Sequence, residues 1–104
     1  MTRQADFDCG LIGDCLWLED LDAGGMSLTN AIEPSLYLAA MELNLTVDSL
    51  VGRLIVYRDS DGVWDAVRVN RVVDGLVKSV DFLPLRVKTL HEATALAQTR
   101  YAVG

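Results

Sequence analysis

Arg53-Leu54-Ile55-Val56-Tyr57-Arg58-Asp59-Ser60-Asp61-Gly62-Val63-Trp64-Asp65-Ala66-Val67-Arg68-Val69 decides the fold. Its first six residues are mostly aliphatic and aromatic and read as a strand, and its last seven read as the returning partner. Between them, Asp59, Ser60 and Asp61 can hydrogen-bond their own backbone, and Gly62 accepts a positive φ. The reversal is repeated downstream, where Asp74-Gly75 sits between Val72-Val73 and Leu76-Val77. An Asp-Gly pair flanked by β-branched residues is a strong hairpin signal. The strand from Leu76 is predicted to reach about Phe82, and Pro84 ends its pairing or places it at an edge, because proline has no N–H for the ladder. Residues 53–83 therefore read as a three-stranded antiparallel meander.

Upstream, Cys15 to Leu21 reads as a further strand, closed by Asp22-Ala23-Gly24-Gly25. Residues 1–13 carry the breakers Gly10 and Gly13 and read as a loosely ordered start. Ile32, Leu36, Ala39, Ala40 and Leu43 fall on one helical face. Asn30 with Glu33 three residues on resembles an N-terminal cap, while Pro34 suits a first helical turn better than an interior. Either a short turn precedes a helix that restarts at Pro34, or a bent helix runs from about 30 to 43. Downstream, Thr89-Leu90-His91-Glu92 matches a capping box, and Leu90, Ala93, Ala97 and Tyr101 mark one side of a final helix. The order β-α-β-β-β-α predicts an α+β fold: an antiparallel sheet of about four strands with both helices packed on one face. The 104 residues form one predicted domain, with no internal repeat or linker.

Half the residues, 51%, are hydrophobic and 23% are charged, which places the chain among globular proteins rather than disordered ones. No apolar run reaches the ~18–20 residues of a membrane span. The first ten residues hold Asp6 and Asp8 and lack a signal-peptide core, so a cytoplasmic location is expected. The net charge of −6 is unevenly placed. Residues 1–33 hold seven acids (Asp6, Asp8, Asp14, Glu19, Asp20, Asp22 and Glu33) against Arg3 alone. Such a field repels phosphate and attracts basic partners.

Gly24-Gly25-Met26-Ser27-Leu28-Thr29-Asn30-Ala31-Ile32-Glu33 and Ile55-Val56-Tyr57-Arg58-Asp59-Ser60-Asp61-Gly62-Val63-Trp64-Asp65 together resemble a group of short, mostly uncharacterised bacterial and phage proteins. Those proteins pair a GGxSxTNxxE helix entry with a YRDSxGxWD hairpin. The resemblance covers about a fifth of the chain. It implies a small single domain of mobile-element origin and transfers no catalytic residue.

Each constellation that could carry chemistry has a plainer structural explanation. His91, the one histidine, lies beside a cap, where a solvated side chain is the expected state. Cys9 and Cys15 lack zinc spacing and read as two thiols in a reducing compartment, with a disulfide or redox pair as the sharper alternative. Asp59, Asp61 and Asp65 echo a calcium loop but lack its closing glutamate and flanking helices. Gly24-Gly25 lacks the rest of a phosphate-binding fingerprint. Glu19, Asp20 and Asp22 could serve acid–base or divalent-ion chemistry, or act as a charged surface. No cofactor or metal is expected.

The reading that follows is a non-enzymatic protein-binding module. Its narrower form is a phage-type inhibitor, resembling anti-CRISPR proteins, that docks on a basic surface of a nucleic-acid-binding complex. Asp14, Glu19, Asp20 and Asp22 would steer it, and Trp64 and Tyr57, for which core packing on their predicted strands is the default reading, would anchor it. Tyr37, Leu38 and Met41, outside the main apolar stripe, point to a possible homodimer through the first helix. Two alternatives remain open: a small enzyme using the acidic loop, and a nucleic-acid binder through Arg53, Arg58, Arg68 and Arg71.

Overall fold

The computed structural model describes residues 9–13, 15–19, 28–59 and 61–101. Among these, five strands form one sheet in the order of the chain: β1 (Cys9–Ile12), β2 (Cys15–Leu18), β3 (Leu54–Arg58), β4 (Trp64–Val73) and β5 (Leu76–Val87). Two helices accompany them, α1 (Leu28–Glu42) and α2 (Leu90–Tyr101), with a short 3-10 turn at Asp48–Leu50.

The meander forms as its turn chemistry demands. β3 and β4 pair antiparallel from Leu54↔Arg68 to Arg58↔Trp64. Asp59 holds their reversal: its Oδ1 accepts from the N–H groups of Asp61 at 2.9 Å and Val63 at 3.1 Å. At the second reversal Asp74 and Gly75 both take positive φ, 54° and 77°, as a tight type I′ hairpin requires. β5 runs on through Pro84 to Val87, and it tolerates the proline because it is an edge strand.

Three expectations are corrected. First, β1 turns part of the loose start into an edge strand, paired antiparallel with β2 from Cys9↔Leu18 to Ile12↔Cys15. Second, the sheet is mixed. β2 and β3 are parallel, with α1 in the crossover between them, since parallel neighbours need such a connection.

Third, the helices lie on opposite faces of the sheet. Ile32, Leu36 and Ala39 of α1 pack with Leu16, Leu18, Ile55, Tyr57, Val67 and Val69. Ala93 and Ala97 of α2 pack with Cys15, Leu54, Val56, Trp64, Ala66 and Leu85. Alternate residues of each central strand thus enter different cores, and both faces need cover. The uninterrupted burial of Leu54 to Tyr57 follows from this.

α1 continues unbroken through Pro34. The proline ring faces solvent, which avoids a clash with the sheet and leaves the loss of one helical hydrogen bond. Asn30 lies within the helix rather than at its cap, and Glu33 instead accepts from the Tyr37 hydroxyl one turn on. The helix ends in a Schellman motif. Asn44 takes φ 58°, its N–H reaches the Met41 carbonyl at 3.3 Å, and the Leu45 N–H reaches that of Ala40 at 2.8 Å. α2 begins as its capping box dictates, with the Glu92 N–H on Thr89 Oγ1 at 3.1 Å.

Candidate interaction surface at the carboxyl end of the sheet

The parallel pairing Leu18↔Tyr57 brings the carboxyl ends of β2 and β3 side by side. Glu19, just beyond β2, faces Arg58 at the end of β3 across 3.9 Å, and both side chains are about one-third exposed, 30% and 33%. Asp59 and exposed Asp61 follow Arg58 in the adjoining turn. Carboxylates from two separate stretches of sequence therefore gather at one end of the sheet. Asp14, Asp20 and Asp22 lie outside the described residues. In chain order, Asp20 and Asp22 directly follow Glu19.

The two aromatic residues expected as anchors are buried instead. Trp64 is 3% exposed and Tyr57 5% exposed, on opposite sides of the sheet. Burial, reinforced by nearby Asp65 and Asp59 and opposed by Arg86, raises the Tyr57 phenol above its usual range, so the hydroxyl stays protonated. Burial likewise pushes the Cys15 thiol up to about 11, against the opposing pull of a Val56 backbone hydrogen bond and the Arg53 charge. An inert thiol follows. Cys9 packs against the α1 core while Cys15 sits in the α2 core. The sheet separates the two sulfurs, so they cannot bridge without rearrangement of the backbone.

The other sequence signals also find structural roles. The Asp59 carboxylate is occupied by its own turn. His91 is exposed in the first turn of α2. Among the described residues, no three His, Cys, Asp or Glu side chains converge on a point that could hold a metal ion. Arg68 donates to the Tyr101 carbonyl, placing a cation at the carboxyl end of α2, where the helix dipole favours one. Arg58 is held by Glu19. Arg53 precedes β3, and Arg71 is exposed opposite Ser79 on β4.

On α1, Leu38 and Met41 face solvent at 45% and 74% exposure. Tyr37 is partly buried against the core, and its hydroxyl accepts from the Val77 N–H at 3.0 Å. It pins α1 to β5 and leaves Leu38 and Met41 as exposed apolar surface of that helix among the described residues.

Asp65 is the residue whose importance the sequence understated. Only 2% exposed, it stands opposite a bulge in which Pro84, Leu85 and Arg86 occupy the space between the pairs Trp64↔Val87 and Ala66↔Leu83. Its Oδ1 accepts from the N–H groups of Leu85 and Arg86, both at 3.0 Å, and its Oδ2 meets the Arg86 guanidinium at 3.3 Å. A lone acid inside an apolar strand was the available clue, since a buried carboxylate needs partners.

No family model matches the chain, and no curated protein or solved structure matches it either.

Proposed function

We propose that this chain is a non-enzymatic protein-binding module that docks the acidic carboxyl end of its sheet on a basic protein surface. The observation that carries this reading is the pairing of Glu19 with Arg58, the residue that precedes the Asp59–Asp61 turn, with Asp20 and Asp22 next to Glu19 in chain order. In open sheets with parallel strands, the carboxyl ends of the strands commonly bear the binding residues. Carboxylates clustered there steer a basic partner and speed encounter.

The narrower proposal is an inhibitor encoded by a phage or mobile element and acting on a nucleic-acid-binding complex. It rests on the resemblance of residues 24–33 and 55–65. With Tyr57 and Trp64 in the core, anchoring passes to surface groups, of which Met41 and Leu38 are the most exposed apolar ones among the described side chains of α1. The same pair is the proposed contact of a homodimer.

The test of steering is a pull-down from host lysate with wild type and the double variant Asp20→Lys/Asp22→Lys. Capture that weakens with added salt and falls sharply in the variant supports the reading, whereas capture indifferent to both defeats it. Sedimentation of wild type and Met41→Glu separates the dimer from the partner. A wild-type dimer that Met41→Glu makes monomeric supports self-association, and a monomeric wild type removes it.

A further inference from the structure

We infer that α2 is a separately opening layer, clasped to the sheet by the Asp65-centred bulge and covering an apolar surface around Trp64. Two observations meet at the bulge. On the sheet side, Asp65 fixes it through two backbone N–H groups and the Arg86 guanidinium. That grip is needed because Arg86 takes φ 58°, a left-handed conformation unfavourable for a residue with a Cβ. On the helix side, the carbonyl of Pro84 in the same bulge accepts from the Tyr101 hydroxyl at 2.9 Å and from the Arg100 guanidinium at 3.4 Å. The chain also enters α2 within three residues of β5. Both ends of α2 are therefore tied to one strained, edge-strand segment, with a further bond from Arg68 of β4 to the Tyr101 carbonyl.

The helix is retained by small buried side chains and by larger ones that are only partly buried. Its buried residues are Ala93, Thr94 and Ala97, which are small, and Thr94 turns its hydroxyl back onto the carbonyls of Leu90 and His91. The large buried apolar groups of this core, Trp64, Leu54, Val56 and Leu85, belong to the sheet, while Leu90, Leu96 and Tyr101 of α2 pack against it only partly buried. Release of α2 uncovers them while the α1 core stays closed. Regions with few large buried contacts open at lower free energy than the core of the protein.

Native-state hydrogen exchange on the full chain tests this. In wild type, the α2 amides are expected to exchange at least about tenfold faster than the central amides of β3 and β4. Asp65→Asn, which removes the charge facing Arg86, and Tyr101→Phe, which removes one bond to Pro84, are each expected to speed α2 about fivefold, the worth of one hydrogen bond. The β3 amides should keep their wild-type rates in both variants. A single shared rate for α2 and β3 in wild type would overturn the inference, as would variants that accelerate both elements equally or neither. Tyr101→Phe alone decides the matter if Asp65→Asn fails to fold.

Discussion

Over Leu16, Ile55 and Val67 the covering helix supplies the bulk, through Ile32 and Leu36 of α1. Over Cys15 and Val56 the sheet supplies it, through Trp64, and the helix presents Ala93 and Ala97. Both arrangements fill space, because a close-packed interior requires large groups to meet small ones. They differ in which element loses stability when it is trimmed.

The sharpest way to break this comparison is Trp64→Ala. It should cost about 4 kcal/mol in urea unfolding, since a fully packed aromatic leaves a large cavity. Leu36→Ala should follow at about 3 kcal/mol, from the helix rather than the sheet. If Leu36→Ala proves nearly neutral, the bulk of the α1 layer lies elsewhere and the contrast fails.

The alkaline limb of stability separates the faces differently. The Cys15 thiol is raised from 9.0 to about 11 in the fold by burial. Its contribution is therefore fully present below about pH 9 and is lost as the pH rises towards 11. Replacing Cys15 with Ala should flatten the fall in stability across that window, measured as denaturant midpoints at a series of pH values. Tyr37 and Tyr57, also raised by burial, act in the same direction on the α1 face, so the slope should not vanish entirely. An unchanged slope in the Cys15 variant would remove the thiol from the account.

The smallest expected effect lies on α2. Thr89→Ala deletes the oxygen that receives the Glu92 N–H at 3.1 Å, and loss of such a cap costs about 1 kcal/mol. Thermal melts of this variant beside Leu36→Ala would rank the two layers directly.

The meander was legible because its information is local. Asp59-Ser60-Asp61-Gly62 and Asp74-Gly75 prescribe their turns from within a few residues, and Thr89 with Glu92 prescribes the start of α2. What was not legible depended on distant pairing. The four residues of β1 become a strand only because β2 offers them an edge. The side chosen by each helix depends on the connection of β2 to β3, although burial on both faces was written into Leu54-Ile55-Val56-Tyr57. Pro34 argued for a boundary, but the buried stripe of Ile32, Leu36 and Ala39 on either side of it outweighed one missing hydrogen bond. At the candidate surface, Glu19 was readable as a charge, whereas its neighbour Arg58 became visible only through the parallel register. Core packing, the first reading of Tyr57 and Trp64, agrees with their burial, whereas the anchoring role set beside it does not, because an aromatic beside a turn looks alike in sequence whether it points inward or outward.

Gly10 stands opposite Trp17, and a Cβ built there would approach the indole to 2.8 Å. The ring therefore lies against bare backbone on an outermost ribbon of four residues. With Trp64 replaced by Phe, emission from Trp17 becomes a local optical gauge of whether that ribbon is seated. A red shift preceding the main unfolding transition would time its peeling separately from everything else in the molecule.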